Sequence, residues 1–265
     1  MNDAQLPVVL VLAGHDPTGG AGLVADAETI AACGGWPVTV PTCLTVQSTH
    51  DVFSVAPCAS DGIRAMAWAL LDEFPVAAIK VGLIPDEASL DAIEDVVRAC
   101  PGIPLVVDPV FRAGGGTDLS TAALVDEFRQ RLLPLVDILT PNRQELARLA
   151  SEDARDDVDR VIALLSLGCQ AVLVTATDDP LPGSPATQVV HTLHTPETSR
   201  QWHWPRLPAR YHGSGCTLAS SLATRLAAGE RLVDACEQAQ RFTWESLRHG
   251  WRPGDGQALP RRWRA

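Results

Sequence analysis

Short apolar runs alternate along the chain with amphipathic segments. Six runs are rich in β-branched residues and bounded by Gly, Pro or Asp, as expected of strands buried on both faces: LPVVLVLAG, PVTVPTCLTV, FPVAAIKVG, IPLVVDPV, VDILTPN and CQAVLVT. Segments with helical periodicity lie between them, at 21–33, 60–73, 87–99, 121–132, 142–150 and 157–167. This alternation predicts βαβ units and a parallel sheet with helices on both faces, with ligands at the carboxyl ends of the strands.

The pattern changes after Thr175. A turn-rich stretch, TDDPLPGSPATQ, precedes two runs that predict a hairpin, VVHTLH and RQWHWPRL, and helices are then expected at 215–228 and 232–248. The short run VFSVA is expected at a sheet edge or in a lid, and the tail RPGDGQALPRRWRA is too short and too rich in Gly and Pro to pack alone. Because no linker divides the chain, we expect a single domain over 1–265.

Composition narrows the possible functions. The chain has 265 residues, of which 46% are hydrophobic and 20% charged, proportions typical of a globular protein. A net charge of −11 argues against nucleic-acid binding, so an anionic ligand must be held by local groups. The start has no basic n-region, its apolar run is too short for a membrane span, and the seven cysteines form no CxxC pair, which predicts a cytoplasmic protein with reduced thiols.

The stretch RYHGSGCTLASS passes from a loop into a helix. Gly213 and Gly215 permit a tight backbone there, and a helix N-terminus favours anions such as phosphate. The same position is expected to lower the pKa of Cys216, and His212 is expected to touch the ligand. The alternative is a simple tight turn in which Cys216 is a small buried apolar residue.

A second glycine loop, AGHDPTGGAGLVADAETI, follows the first strand. Gly19, Gly20 and Gly22 let the backbone approach a ligand, and Asp26 stands one turn into the helix, where it can bond a substrate amine or hydroxyl. His15 in this loop is also expected near the ligand. The spacing is neither GxGxxG nor a P-loop, and the alternative for Asp26 is a solvated first-turn acid.

Two further loops carry candidate metal or phosphate ligands. Asp108 ends the strand in VVDPV and suits Mg²⁺ or a hydroxyl group, although it can equally cap the next turn. In LTPNRQE, Asn142 and Glu145 share one helix face, and their spacing also matches a capping box that needs no ligand.

Taken in order, these loops resemble the hydroxymethylpyrimidine and phosphomethylpyrimidine kinases of thiamine biosynthesis, within the ribokinase-like superfamily. The motifs that carry the resemblance cover nearly the whole chain: AGHDPTGGAGLVADAETI, CLTVQSTHDV, IKVGLI, VVDPV, LTPNRQE and YHGSGCTLASSLATRLAAG. The resemblance implies an α/β, ribokinase-like three-layer α/β/α sandwich with a mostly parallel central sheet. It also implies a homodimer that uses ATP and Mg²⁺ to phosphorylate 4-amino-5-hydroxymethyl-2-methylpyrimidine and then its monophosphate.

The resemblance also implies roles for the glycine–cysteine loop. Gly213 and the backbone N–H groups of Ser214, Gly215 and Cys216 would form an anion hole for the transferred phosphoryl group. A Cys216 thiolate would take the hydroxyl proton, although a loose transition state needs little help from a base.

Substrate and cofactor contacts follow in the same way. The resemblance implies that Asp26 and Gln47 read the aminopyrimidine edge, with Gly14 and Leu83 beside the ring. The residues implied at the ATP side are Asp108, Asn142, Glu145 and Thr175, with Asp108 and Glu145 as metal ligands. On this evidence Asn142 and Glu145 are more than a helix cap.

Two positions depart from the family pattern. A Lys-Gly-Gly-His stretch is replaced by ATDDPLPG, which removes a cation and brings Asp178 and Asp179, and His15 stands where the family has Ser.

One alternative function is that of a pyridoxal kinase, since pyridoxine also carries a hydroxymethyl group on a flat ring, but an acid and an amide suit the aminopyrimidine better. Another is a catalytically weak pyrimidine-binding protein.

Overall fold

One mixed sheet of nine strands runs through the structure, a computed structural model that describes residues 6–150, 153–177 and 183–263. The strands are β1 (Val8–His15), β2 (Trp36–Gln47), β3 (Val52–Pro57), β4 (Val76–Val81), β5 (Leu105–Val107), β6 (Ile138–Leu139), β7 (Val172–Thr175), β8 (Gln188–His194) and β9 (Ser199–Pro205). Their order across the sheet is β3-β2-β1-β4-β5-β6-β7-β8-β9. All six apolar runs form strands, as predicted.

The middle of the sheet is parallel and its margins are antiparallel. Strands β2, β1, β4, β5, β6 and β7 pair in parallel, while β3 pairs antiparallel with β2. The run VFSVA is therefore an edge strand. The predicted hairpin after Thr175 is confirmed, since β8 pairs antiparallel with both β7 and β9.

Helices cover both faces of the sheet. They are α1 (Gly22–Ala32), α2 (Ser60–Glu73), α3 (Glu87–Arg98), α4 (Ala122–Glu127), α5 (Arg143–Leu149), α6 (Asp157–Ser166), α7 (Ser214–Ala227) and α8 (Leu232–Arg248). One apolar core joins the sheet to α2 through α6, and the other joins it to α1, α7 and α8. The segment predicted as one helix over 121–132 ends its α-helical part at Glu127 and continues as a π-helical turn, Phe128–Leu132. The predicted three-layer α/β/α architecture is confirmed.

The burial of both faces of strand β1 explains why the run from Val8 to Leu12 is apolar. Successive side chains of a strand point to opposite faces, and here each face is covered by helices. Val8, Leu10 and Leu12 belong to the core beneath α2 to α6, whereas Val9 and Val11 belong to the core beneath α1, α7 and α8. All five are buried, so no position of this strand tolerates a polar side chain without a buried partner.

The segment after α8 returns to the body of the protein. It forms isolated bridges between Tyr211 and Ala258 and between Trp251 and Leu259, and both Ala258 and Leu259 are buried. This contact places the C-terminal residues beside the loop that precedes α7. None of the helices within the described ranges is long and apolar enough to cross a membrane.

Candidate active site

A cavity of about 230 Å³ opens at the carboxyl ends of the parallel strands. Its wall is built by residues that follow β1, β4, β5, β6 and β7, by the end of β2 and by the start of α7. The predicted site residues that line it are Gly14, Gln47, Leu83, Asp108, Asn142, Glu145, Thr175, Gly213, Ser214, Gly215 and Cys216. The structure therefore brings these predicted residues together, whereas Asp26, His15, Gly19 and Gly20 do not line the cavity.

The loop before α7 requires glycine at two positions. Gly213 has a φ of +83°, and a Cβ atom there would lie 1.8 Å from the carbonyl oxygen of Gly20. A Cβ atom on Gly215 would lie 3.2 Å from Oδ2 of Asp108. Helix α7 begins at Ser214, so the N–H groups of its first turn have no carbonyl partners inside the helix and favour an anion.

Asp26 does not face the cavity. Its carboxylate is fully buried in α1, and both oxygens lie 2.9 Å from Nζ of Lys80. Oδ1 also accepts a hydrogen bond of 2.7 Å from Oγ of Ser220. Both oxygens of Asp26 are thus engaged by protein partners, and its role in reading the substrate stays a prediction. The alternative of a solvated acid is wrong, because Asp26 is buried.

Lys80 is a cation of the site that the sequence analysis missed. It is the only lysine of the chain, it is fully buried, and it lines the cavity from β4. Burial alone would lower the pKa of Lys80, but the charges of Asp26 and Asp108 and the hydrogen bonds to Asp26 outweigh burial and raise it. Lys80 therefore carries a permanent positive charge, and the signal available in sequence was a single charged residue inside the apolar run FPVAAIKVG.

The thiol of Cys216 behaves differently from the prediction. Burial raises its pKa to about 12, and the charges of Asp26 and Asp108 act in the same direction. Lys80 and the backbone N–H of Gly22 oppose this rise without cancelling it. The expected lowering of the pKa is wrong because burial outweighs the helix terminus, and the thiol is neutral at pH 7.

Asp108 lies at the ligand edge of the sheet, as predicted. It follows β5 and is buried. Burial raises its pKa to about 6 against the opposing charge of Lys80, and Thr140 contributes a hydrogen bond that lowers it. At neutral pH Asp108 is an anion held close to Gly215 of the loop before α7.

Asn142 and Glu145 form the capping box of α5. The Glu145 N–H donates to Oδ1 of Asn142 over 2.9 Å, and the Asn142 N–H donates to Oε2 of Glu145 over 2.8 Å. Both residues also line the cavity, and Thr175 stands beside them through a backbone bridge to Asn142. The capping alternative is therefore confirmed as a local structure, and the cap positions these side chains at the cavity wall.

Another part of the cavity wall is formed by Gly14, Gln47 and Leu83. A Cβ atom on Gly14 would lie 2.9 Å from Sγ of Cys43 and 3.3 Å from Cδ2 of Leu83, so the backbone closely approaches this wall. Gln47 reaches the cavity from the end of β2, and its Nε2 donates a hydrogen bond of 2.6 Å to Oγ1 of Thr45. With Nε2 engaged, the amide oxygen of Gln47 is oriented as an acceptor for a ligand.

His212 and Asp16 join the two glycine loops. Nε2 of His212 lies 2.8 Å from Oδ2 of Asp16, and both residues line the cavity. Burial would raise the pKa of Asp16, but hydrogen bonds from His212 and Thr18 outweigh burial and lower it. His212 thus lines the cavity in which a ligand is expected, whereas His15 is not among the cavity-lining residues. Asp178 and Asp179 lie outside the described residues.

Two solved structures show the same fold. The phosphomethylpyrimidine kinase of Clostridium difficile 630 superposes with a TM-score of 0.78 at 26% identity, over 92% of this chain and all (100%) of that chain. The pyridoxal kinase of Staphylococcus aureus in complex with AMP-PCP and pyridoxal superposes with a TM-score of 0.84 at 22% identity, over 96% and 93% of the two chains. At that identity the second likeness shows the fold alone, which is the predicted ribokinase-like architecture.

Sequence comparison gives the family. The chain is 34% identical over 259 residues to the hydroxymethylpyrimidine/phosphomethylpyrimidine kinase of Synechococcus elongatus, with 95% of each chain covered. It is 32% identical over 259 residues to the Streptomyces coelicolor protein of the same name, covering 94% of this chain and 92% of that one. The family described as phosphomethylpyrimidine kinase matches residues 16–260. With this match over most of its length and these two relatives above 30% identity, the chain belongs to the phosphomethylpyrimidine kinase family.

Proposed function

We propose that the chain transfers the γ-phosphoryl group of ATP to the hydroxymethyl oxygen of 4-amino-5-hydroxymethyl-2-methylpyrimidine, and then a second phosphoryl group to the monophosphate. In the first step the hydroxymethyl oxygen loses a proton and bonds to the γ-phosphorus, and in the second step an anionic phosphate oxygen of the monophosphate forms this bond without losing a proton. In both steps the bond between the γ-phosphorus and the β,γ-bridging oxygen breaks and ADP leaves. The observation that carries this proposal is one cavity that has an anion loop at α7 and a flat pocket at Leu83 and Gln47.

Charge neutralisation and positioning are the main contributions of the protein. The N–H groups of Ser214, Gly215 and Cys216 stabilise the negative oxygens of the transferred group, and the permanent charge of Lys80 lies in the same wall. A loose transition state needs little proton removal from the acceptor before transfer. The raised pKa of Cys216 is consistent with this view, and its role as a base stays a prediction.

The residues at the ATP end suit Mg²⁺. Within the described parts of the chain no three acidic, His or Cys side chains are grouped as a metal cage. Mg²⁺ bound to nucleotides does not need one, because it is held by one or two carboxylates, by water and by substrate phosphates. Asp108 and Glu145 would hold the ion from the cavity wall, and it would supply charge neutralisation between the phosphates.

Gln47 and Leu83 are the residues we assign to acceptor recognition. The Gln47 amide oxygen would accept from the exocyclic amine of the pyrimidine, while Leu83 and the close-approaching backbone of Gly14 pack on the ring. With Asp26 engaged by Lys80, Gln47 is the main polar determinant at this end. A pyridoxal kinase is the second candidate, because a pyridoxal kinase shares the fold, and an acceptor amide favours the aminopyrimidine over pyridoxal.

We infer that the protein acts as a homodimer. Large apolar side chains are exposed on the β2–β3 margin of the sheet and on the neighbouring α2: Leu44, Val46, Phe53, Met66 and Trp68. Such a patch is typical of a subunit interface. Phe53→Asp is expected to convert the dimer to a monomer in light scattering, whereas Val158→Asp on α6, also at an exposed apolar side chain, leaves the mass unchanged.

The remaining proposals concern organisation and location. We propose that residues 1–265 act as one domain, since a single sheet includes strands from Val8 to Pro205 and the segment after α8 returns to the site. We also propose a cytoplasmic location. All seven cysteines fall within the described residues and are free thiols, the state expected in a reducing compartment.

A transfer assay tests the proposed activity. Mg²⁺ATP is offered with the hydroxymethylpyrimidine, its monophosphate or pyridoxal, and the products are resolved by mass. We expect the mono- and diphosphates of the pyrimidine as products. A Gly213→Ala variant, which is expected to lose activity, serves as the negative control. Product from pyridoxal alone would assign the second candidate function, and ATP binding without any product would assign the weak pyrimidine-binding protein instead.

A further inference from the structure

Arg262 is a buried cation outside the residues considered so far. It belongs to the Gly- and Pro-rich C-terminal segment, yet it is only 2% exposed. Arginine is almost never fully buried unless its five N–H donors are paired. The hydrogen bonds of this guanidinium therefore indicate what it does.

Backbone carbonyls of both glycine loops converge on Arg262. Its Nη2 donates to the Gly20 carbonyl over 2.5 Å and to the Gly213 carbonyl over 3.5 Å, and its Nη1 donates to the Gly19 carbonyl over 3.3 Å. Its Nε donates to Oγ1 of Thr217 over 2.9 Å. The guanidinium thus spans the loop after β1 and the first turn of α7.

Among the residues that the structure describes, a single carboxylate forms an ion pair with Arg262. Oε2 of Glu28 lies 3.2 Å from Nη1, and the Glu28 side chain is 34% exposed. The remaining partners are neutral oxygens, so most of the donors are spent on holding backbone groups rather than on an ion pair. Arg262 is therefore placed to fix the shape of the two loops.

The contact between the loops needs a cation. A Cβ atom on Gly213 would lie 1.8 Å from the Gly20 carbonyl oxygen and 2.9 Å from Nη2 of Arg262, so the loops touch at this point. Three carbonyl oxygens that converge on one place repel one another unless a donor lies between them. Arg262 supplies that donor with a rigid planar fork.

The same contact sets the direction of an N–H group in the anion loop. The carbonyl of Gly213 and the N–H of Ser214 belong to one planar trans peptide, so they point in opposite directions. The Gly213 carbonyl points along α7, because it accepts hydrogen bonds from the Thr217 N–H over 3.1 Å and from Oγ1 of Thr217 over 2.8 Å, and Nη2 of Arg262 lies against it at 3.5 Å. The Ser214 N–H then points towards the cavity that Ser214 lines.

We propose that Arg262 is a positioning residue for phosphoryl transfer: it clasps the Gly19–Gly20 and Gly213 carbonyls and so holds the first N–H groups of α7 on the γ-phosphoryl group. This inference rests on the proposed kinase function. It assigns no contact between Arg262 and the substrates, and it makes the C-terminal segment part of the catalytic machinery.

The test compares Arg262→Met and Arg262→Lys with Arg261→Gln, a matched control at an exposed neighbouring arginine. We expect Arg262→Met to lower kcat about 100-fold with little change in the KM of the pyrimidine, because a misplaced anion loop affects mainly the transition state. Arg262→Lys restores only part of kcat, since one ammonium cannot span three carbonyls. Millimolar guanidinium ion added to Arg262→Met is expected to recover activity.

A binding measurement tests the inference without turnover. The dissociation constants of ADP and AMP-PCP are compared, because only AMP-PCP places a group at the γ-position. Arg262→Met is expected to weaken AMP-PCP about 10-fold relative to ADP, and Arg261→Gln to leave the ratio at the wild-type value. If Arg262→Met does not fold, Arg262→Lys replaces it in the comparison of kcat and in that of the dissociation constants.

The outcomes separate the two proposals. A wild type that phosphorylates no pyrimidine ends the proposed function, while the ratio of the two dissociation constants still tests Arg262. Wild-type kcat and an unchanged ratio in Arg262→Met overturn the inference. Equal losses of ADP and AMP-PCP affinity that follow a fall in Tm, with no recovery by guanidinium, also overturn it, because Arg262 would then act only in stability.

Discussion

Nζ of Lys80 lies 2.9 Å from both carboxylate oxygens of Asp26, and neither side chain is exposed to solvent. The pair joins β4 to α1 beneath the cavity, and Ser220 of α7 adds a third element through its hydrogen bond to Asp26. A buried ion pair contributes little net stability, but the loss of one partner leaves an uncompensated charge in the interior. The consequence is that each residue is required because the other is present.

Replacement of Lys80 by methionine is therefore expected to lower the free energy of unfolding by about 3–5 kcal/mol, as measured by urea denaturation. The matched control is Arg64→Met, which breaks the 2.7 Å ion pair with the more exposed Asp95 and is expected to cost less than about 1 kcal/mol. A double variant, Lys80→Met with Asp26→Leu, should recover much of the lost stability. If Lys80→Met and Arg64→Met lowered the free energy of unfolding equally, the explanation by an uncompensated buried charge would be contradicted.

The neutral thiol of Cys216 gives a prediction for the pH profile. With its pKa raised to about 12, the thiolate fraction is negligible between pH 6 and 9, so its titration adds no increase in kcat across that range. Cys216→Ser is expected to keep kcat within about 10-fold of wild type with the same profile shape. An increase in wild-type kcat towards pH 9 that Cys216→Ser and Cys216→Ala both abolish would establish the thiolate as the base.

Glycine at 213 is expected to be required for its lack of a side chain as well as for its φ angle. In Gly213→Ala the added methyl group would clash with the Gly20 carbonyl oxygen. Gly229 has a similar φ of +79°, but a methyl group added there would have no atom within 4 Å. We expect Gly229→Ala to cost about 1 kcal/mol of stability with normal kcat. Gly213→Ala should lose at least about 100-fold in kcat, because the anion loop must move to admit the methyl group. Similar kinetics for the two variants would show that the loop contact is not needed for transfer.

Gln47 is expected to control acceptor choice. Gln47→Ala removes the amide that we assign to the pyrimidine amine, so kcat/KM for the pyrimidine should fall about 10–100-fold. The dissociation constant of ADP should not change, because Gln47 lies at the other end of the cavity. Parallel assays with pyridoxal provide the control, and a loss of equal size on both acceptors would remove Gln47 as a discriminating residue.

Acid is expected to destabilise the protein through His191. Burial lowers the pKa of His191 to about 4, against an ordinary value of 6.5, although the hydrogen bond that its Nδ1 donates to Oε1 of Gln240 opposes this effect. Between these values the unfolded chain binds a proton that the folded chain does not, so the free energy of unfolding falls as the pH drops through this window. We expect a loss on the order of 2 kcal/mol between pH 7 and 4.5.

His191→Gln should remove most of this slope in urea denaturation measured at successive pH values. His249→Gln is the control, because the His249 side chain is 61% exposed. A wild-type slope that survives in His191→Gln would assign the acid sensitivity to other groups.

The sequence predicts the architecture well because local pattern and burial agree in the central strands and helices. The apolar run of β1 and the amphipathic segment of α2 each carry their own signal, and α2 has the predicted bounds, Ser60–Glu73. Loops at the carboxyl ends of the strands then converge by the geometry of a parallel sheet. For this reason residues as distant in sequence as Gly14, Asn142 and Gly215 could be assigned to one site.

Contacts between side chains on different helices, strands and loops could not be predicted from the sequence in the same way. The motif that contains Asp26 shows an acid one turn into a helix, but its partner Lys80 lies on β4 and is set by how α1 lies across the sheet, which no local pattern encodes. The helix terminus at Cys216 is visible in sequence and its burial is not, so the direction of the pKa shift was predicted wrongly. Arg262 had no motif at all, and only the returning C-terminal segment shows its partners.

The position of Arg262 in the sequence determines when its contacts with the two glycine loops can form during protein synthesis. Gly20 and Arg262 are separated by 242 positions, and every strand of the sheet has been translated by Pro205. A nascent chain can therefore assemble its sheet on the ribosome before the residue that joins the two glycine loops has emerged. The hydrogen bonds that join the two glycine loops through Arg262 thus become available only after all nine strands of the sheet have been made.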